Sequence, residues 1–581
     1  MIPEQRGGLA APLRPGLIVV AVLAVAGLAA AALLVWRTKQ PATPPVSAES
    51  ARADAAPVLV APAGGSPLPD EEAFDRRLTL SEDAFKLYQE GVGLARALPA
   101  QAAVRFRRAL LLDPAFLPAQ HRLALAAVLM SRREEARSAI KSAMLDERGL
   151  PEPYRTEAPV LAHYIEGAFD LATRKLKEAI ARLPEDPELN FIAGRISAES
   201  CDYFDPNATI EHFERVLAID PEYAAARGGL IDAYEMKSMH EWSLARATAY
   251  KARHPESLDA ISELGRVRIA RGEYGDAIED ADEIVRRGED VFAYGLGPAF
   301  FLAGHHDQLA AMYDPEMERT NMMEANALTH LHAGVNDVWM GRFGKAMEHF
   351  ERGPEFLPGP WQRSRKALFY LLLGRTNGLL GRGREARSAL EAAQQVAGPQ
   401  PVLEYALGVV ELQDGRPQEA QRVVKRLEDE LRPSQPGWTE PWRRLMAGEI
   451  ALAAGDAARA VQEFREAWQL ERPLEIDCIS AHAGAYFLDA LGRGFLAASR
   501  PQDALQAFEQ IRSLGVKGLH QPEIAVLALY RAGLAHEAMG REEEAKARYQ
   551  AFLDEWGRAD ITTGEIDDAR ARLSRGASGG S

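Results

Sequence analysis

Apolar and small residues recur along this chain in paired short runs, each pair separated by a polar, glycine-containing turn. In Ile261 to Ile284, ISELGRVRIARGEYGDAIEDADEI, Leu264 and Gly265 lie inside one run, Gly272 interrupts it, and Ala277 with Ile278 opens the next. The pattern predicts two short helices forming a hairpin. Gly265 and Ala277 stand twelve residues apart, and a small residue on each arm lets antiparallel helices cross closely because neither puts a bulky side chain at the contact. The same spacing recurs at Gly334/Ala346, Gly374/Ala386, Gly408/Ala420, Gly448/Ala460, Gly492/Ala504 and Gly533/Ala545, and Ala124/Ala136 keeps it. Twelve holds within each pair while successive pairs are offset by 32 to 44 residues, so the pairs are copies of one unit.

Taken in order, the first pair spans residues 84–112, the second 116–144, and the third 156–183 with its turn at Gly167. The fourth, 190–219, carries the insertion CDYFDPN in its turn, and the fifth, 224–253, has Ser243 where the others have Ala. The seventh, 291–313, has Leu309 in that place and Pro298 in its first helix, which predicts a kink or a late helix start. Units continue to Trp556, about thirteen pairs in all, and the closing stretch to Leu573 predicts a helix capping the last apolar face. The expectation is an all-α solenoid over residues 71–575, with a flexible tail at 576–581.

The hairpins resemble the tetratricopeptide repeat, a helix-turn-helix of about 34 residues. Leu264-Gly265, Leu407-Gly408 and Leu491-Gly492 match its first helix; Gly341, Gly381, Gly415, Gly455 and Gly540 match its turn. Ala460-Phe464-Ala467 and Ala386-Leu390-Ala393 match its second helix, and Pro114, Pro184, Pro221, Pro255 and Pro358 its close. The resemblance implies a right-handed superhelix with first helices lining a concave face. The ending, Tyr549 to Trp556 with Ala559-Asp560 and Ala569 to Leu573, is similar to the close of repeat regions in bacterial serine/threonine kinases and membrane-anchored winged-helix regulators. Those families place an effector domain before the anchor, whereas only sixteen residues stand there in this sequence, so the resemblance implies partner binding alone.

Carried onto these positions, the family's groove rule selects Leu328, Leu331, Val335, Val338 and Trp339 around Gly334. Neighbouring units contribute Val291, Tyr294, Phe301 and Leu302; Leu368, Leu371 and Leu379; Val402, Tyr405, Val409 and Leu412; and Trp442, Leu445 and Leu452. The sixth unit offers Asp259, Ser262 and Arg266 instead. The expectation is an apolar trough over units seven to eleven that takes an amphipathic helix or an extended peptide. It lacks the Lys, Arg and Asn with which related grooves grip a carboxylate.

Ahead of the array, residues 1–16 form a short tail and Leu17 to Trp36 runs without a charged residue over a length that crosses a bilayer core of about 30 Å. The run is longer than a signal peptide's apolar region and ends in Leu33-Leu34-Val35-Trp36 rather than a small-residue cleavage site. A single transmembrane helix is expected, followed by a Pro/Ala-rich spacer over 37–70. Arg6 and Arg14 nearly balance Arg37 and Lys39 across it, so charge does not set orientation. A short leading tail is easily kept inside, which places the array outside a bacterial cytoplasmic membrane.

Composition narrows the chemistry. A net charge of −16 over 581 residues repels a nucleic-acid backbone. Cys201 and Cys478 are the two cysteines and are too far apart in a nearest-neighbour array to pair. The sequence contains no HExxH, P-loop, GxSxG or CxxC motif, and no catalytic residue, cofactor site, metal site or small-molecule substrate is expected. One enrichment stands apart: Met312, Met317, Met322, Met323, Met340 and Met347 beside His305, His306, His330, His332 and His349. Thioethers with imidazoles suit Cu(I), although methionines filling irregular gaps make the same pattern. The functional expectation is a protein-binding scaffold in an envelope signalling or assembly complex, with the sensor half of a split signalling system and copper handling as alternatives.

Overall fold

The computed structural model describes residues 78–577 apart from 97, 131, 146–148, 200–204, 238, 289–290, 292–293, 313–322, 358–362, 430–435, 472–478 and 480–482. Contacts divide the chain into Met1–Ala63 and Gly64–Ser581, and every described residue belongs to the second unit. The apolar run Leu17 to Trp36, its spacer and both cysteines lie outside the described residues. Among the described residues, no helix is long and apolar enough to cross a membrane.

The described residues form helices and no strand. Hairpins 1 to 4 are α1 (Glu82–Leu94) with α2 (Pro99–Leu112), α3 (Leu117–Leu129) with α4 (Arg133–Met144), α5 (Tyr154–Glu166) with α6 (Phe169–Arg182), and α7 (Pro187–Glu199) with α8 (Pro206–Ile219). Hairpins 5 to 7 are α9 (Ala224–Met236) with α10 (His240–Arg253), α11 (Leu258–Arg271) with α12 (Tyr274–Arg286), and α13 (Gly297–Leu302) with α14 (His306–Met312). Hairpins 8 to 10 are α15 (Met323–Trp339) with α16 (Phe343–Arg352), α17 (Arg363–Leu379) with α18 (Gly383–Ala397), and α19 (Pro401–Gln413) with α20 (Pro417–Asp429). Hairpins 11 to 13 are α21 (Pro436–Ala453) with α22 (Ala457–Glu471), α23 (Gly484–Ala497) with α24 (Pro501–Arg512), and α25 (Pro522–Ala538) with α26 (Glu542–Trp556). A last helix, α27 (Gly564–Ala577), packs on α26 through Ile566 and Ala569 and continues into the expected tail.

Turn glycines at 167, 272, 341, 381, 415, 455 and 540 adopt φ between 69° and 81°, the left-handed region that closes a helix tightly and that side-chain-bearing residues disfavour. Pro298 gives the late start: it occupies the first turn of α13, which is only six residues long. The helical glycines work differently from the simple crossing expected of them. A Cβ at Gly334, Gly448, Gly492 or Gly533 would overlap the ring of Phe350, Phe464, Phe508 or Tyr549, sixteen residues on. The twelve-residue partner Ala is buried beside this contact, while the glycine is a socket for the ring four positions later. Gly408 departs from the rule, since its open space is taken by Met446 of the next hairpin.

Buried apolar residues separate into two large cores. One runs from Ala84 to Tyr234 through hairpins 1 to 5; the other runs from Ile261 to Ala569. Ile231, Ala247, Leu264 and Val267 form a small cluster where they adjoin. In the first array the winding is tight enough for hairpin 1 to reach hairpins 3 and 4 and the start of hairpin 5. The Tyr88 and Tyr154 hydroxyls meet at 2.8 Å, and the Ala224 amide donates to the Arg96 carbonyl at 3.1 Å.

The second array closes on itself. Trp556 is fully buried and its Nε1 donates to the Val338 and Trp339 carbonyls at 3.0 and 3.1 Å. Asp560 accepts the first amides of α16, Phe343 and Gly344, both at 2.9 Å, and its own amide donates to the Gly341 carbonyl. Hairpin 13 and the turn after it thus seal hairpin 8, more than 200 residues earlier in the chain.

Candidate functional site

The positions expected to line an apolar trough are filled from within. Val291, Phe301, Leu331, Val335, Leu368, Leu371, Tyr405 and Trp442 are all buried, and Tyr294, Leu328, Trp339 and Val409 are partly buried. The reason is the winding: successive first helices face one another across a ring that hairpin 13 closes, so these side chains meet each other rather than solvent. Tyr405 packs on Trp442 at 5.4 Å and on Tyr486 at 5.8 Å between ring centres. Trp339 stacks on His306 at 5.3 Å, and its Nε1 donates to Glu555 Oε2 at 2.9 Å.

Charged groups complete that interior. The Tyr405 hydroxyl donates to Glu449 at 2.9 Å, Arg493 pairs with Glu449 and Asp489, Arg531 pairs with Asp489, and Arg375 pairs with Glu523. Arg375 also donates to the His520 carbonyl and lies over the Tyr486 ring. Three guanidiniums thus face three carboxylates, and the charges cancel. Burial pulls the Arg375 guanidinium below its ordinary value, whereas for Arg493 the charges of Glu449 and Asp489 outweigh burial and raise it.

Among the described residues, the histidines of the Met/His segment make separate contacts. His330 and His349 meet at 2.9 Å between Nδ1 atoms, with Asp337 3.6 Å behind His349. His306 faces Asn336, His305 faces Gln308, and His332 is buried, which holds its imidazole down to about 3. Met317 and Met322 lie outside the described residues.

A second cluster went unforeseen. In the first array, Glu157 on α5, Asp186 just before α7 and Glu188 on α7 each place a carboxylate oxygen within 4.8 Å of the other two. His121 on α3 is 0% exposed, its Nε2 lies 3.3 Å from Glu157 Oε2, and neither ring nitrogen completes a hydrogen bond. The buried Tyr223 hydroxyl, just before α9, is also without a hydrogen-bond partner. Glu188 takes Arg96 at 2.9 Å and Arg122 at 3.0 Å, and Arg96 also takes Asp220 at 3.2 Å. Burial raises Glu188, but the two arginines outweigh it and hold the carboxyl at about 2. Burial, reinforced by Glu188, pushes Asp186 up to about 6, and burial with the Asp186 charge pushes Glu157 well above the carboxylate range. No motif announces this cluster. Its residues lie near the starts of successive first helices, so only the repeat register, combined with charge at inward positions, could have pointed to it.

Between α6, α7 and α8 lies a groove of about 450 Å³. Leu176, Ile180, Ala193 and Ile196 are its apolar lining, and Thr173, Lys177, Ser197 and His212 supply polar groups around it. Burial, ahead of the opposing Glu211 charge, lowers the His212 imidazole below its ordinary value.

No family model and no curated protein matches the chain. Solved structures of helical solenoids do: the crystal structure of the APC/C hetero-tetramer Cut9-Hcn1 is similar at 13% identity and a TM-score of 0.32, over 87% of this chain and 99% of that one. Human IFIT1, as a dimer with PPP-AAAA, is similar at 14% and 0.36, over 83% and 99%. Yeast Tom70 is similar at 12% and 0.29, over 85% and 96%.

Proposed function

We propose that this chain is a membrane-tethered helical-repeat scaffold that holds a protein partner on its outer surface and carries no catalysis of its own. The groove between α6, α7 and α8 carries the reading. At about 450 Å³, apolar within and polar around, it has room for one or two apolar side chains of a helix or extended peptide and hydrogen-bonding groups beside them. Lys177 favours an occupant with an acidic residue next to its apolar anchor. Leu17 to Trp36 supplies the tether and the Pro/Ala spacer the reach, with the array outside a bacterial cytoplasmic membrane. The resemblance of the closing segment to kinase- and regulator-linked repeats supports a signalling or assembly role, including service as the sensor half of a split system.

A photo-crosslinking residue in place of Lys177 in the full chain tests the groove. Adducts are expected in the source cell and are lost when Ile180→Glu is added; no adduct at 177 rejects the groove. Carbonate-washed membranes are expected to retain the full chain and release one lacking residues 1–40, and retention of the shortened chain rejects the tether. Copper handling is a second reading, favoured by the His330–His349 contact. Equilibrium dialysis removes it if the wild type keeps no more copper than a chain with Met322, Met323, His330 and His332 replaced.

A further inference from the structure

The inner seam of the first array carries a charge imbalance that the Arg375, Arg493 and Arg531 interior of the second does not. Arg122 answers Glu188 and Arg96 answers Asp220, which leaves the carboxylates of Glu157 and Asp186 facing each other in the interior. Asp186 accepts the Leu189 amide at 2.8 Å, and among the described residues neither carboxylate forms an ion pair with a guanidinium or ammonium; Arg122, committed to Glu188, acts on both only through its charge, and the two carboxyls are joined by a hydrogen bond that holds a proton between them. Two like charges brought out of water this closely are unfavourable unless a proton or a cation joins them. Beside them stands His121, fully buried, with Nε2 turned to Glu157 and neither nitrogen satisfied. A buried imidazole with both nitrogens unused loses the hydrogen bonds that water would give it, which a ligand on Nε2 restores.

We propose that Glu157, Asp186 and His121, with Glu188 at the edge, bind one divalent metal ion of the manganese-to-zinc class. An ion that displaces the proton held between Glu157 and Asp186 meets two carboxylates that match its 2+ charge, and the imidazole shifts the preference from Ca²⁺ or Mg²⁺ toward ions that accept nitrogen. Separations within 4.8 Å among the three carboxylate oxygens need only a small contraction to meet metal–oxygen distances near 2.1 Å. The ion ties α3, α5 and α7, three consecutive first helices, and so braces the inner seam of hairpins 2 to 4. Asp186, 9% exposed, is the way in.

The test uses the full chain in detergent, stripped by chelator and dialysed against Mn²⁺ or Zn²⁺, with metal counted per chain. Wild type is expected to hold one equivalent. Glu157→Gln and Asp186→Asn, which keep shape and remove charge, are expected to bind at least tenfold more weakly with unchanged far-ultraviolet circular dichroism. Glu263→Gln, a buried carboxylate outside the cluster, is expected to bind as wild type. Co²⁺ reads the imidazole, since its visible absorption changes in His121→Asn if that nitrogen is a ligand. The proposal falls if wild type holds no metal, if Glu157→Gln holds as much, if His121→Asn leaves the Co²⁺ spectrum unchanged, or if the metal is lost only in His330→Asn with His349→Asn.

Discussion

Hairpins 1 to 5 and hairpins 8 to 13 are built from the same unit, wind until their inner faces fill, and put charge inside, yet they balance that charge in opposite ways. The second array sets Arg375, Arg493 and Arg531 against Glu449, Asp489 and Glu523 and locks the ring with Trp556 and Asp560. Among the described residues, the first leaves Glu157 and Asp186 without an ion-pair partner and His121 without a hydrogen bond. A neutral, hydrogen-bonded interior is what stability alone demands of buried charge. An interior left short of positive charge is where a cation has a part to play, and the proposed metal site therefore falls in the first array rather than the second.

The largest effect that would break this contrast is at the ring closure. Trp556→Ala removes a fully buried indole and two hydrogen bonds, and is expected to destabilise the second array by about 3–5 kcal/mol. Denaturant unfolding should then split into two transitions, with the first array melting at its wild-type midpoint; a single transition shifted as a whole would mean the two arrays unfold as one.

Next comes the border between them. Glu263 on α11 is buried 3.7 Å from Arg227, and burial outweighs that arginine and raises its carboxyl to about 7 from an ordinary 4.5. A carboxyl raised on folding contributes stability that is complete below pH 4.5 and is lost as pH rises through 7, here about 3 kcal/mol. Glu263→Gln is expected to flatten that pH dependence, measured as midpoint denaturant concentration from pH 4.5 to 8. An unchanged slope rejects the assignment.

Two smaller changes sharpen the picture. Gly492→Ala forces a Cβ into the Phe508 ring and is expected to cost about 1–3 kcal/mol in the second array; Gly540→Ala, strained by its φ of 70° but with open space around it, about 1 kcal/mol. Asp560→Ala removes the acceptor for the first two amides of α16 and is expected to cost about 1 kcal/mol, read as faster hydrogen exchange at Phe343 and Gly344.

Much of the repeat was legible because it is written locally. Gly-to-Ala spacing, turn glycines and second-helix rings sit within forty residues of one another, and hairpin packing needs nothing more distant. Even so, spacing alone makes Gly265 a simple crossing, whereas the space a helical glycine leaves is taken by a neighbour: Leu296 of the next hairpin in this case, and a ring sixteen residues on elsewhere. The trough failed for a different reason. Val335, Leu371, Tyr405 and Trp442 are buried, and whether the face that carries them is open depends on how far the array winds, a sum of small rotations between hairpins that no single unit encodes.

Periodicity alone therefore specified helices, their pairing and their order, since these follow from contacts between residues close in the chain. The meeting of Trp556 with Val338, of Arg375 with Glu523, and of His121 with Glu157 belongs to the coiled array, because each joins hairpins that local pattern leaves independent. Burial then turns those meetings into chemistry: a carboxylate harmless on an exposed helix becomes a charge in need of a partner once the winding takes it out of water.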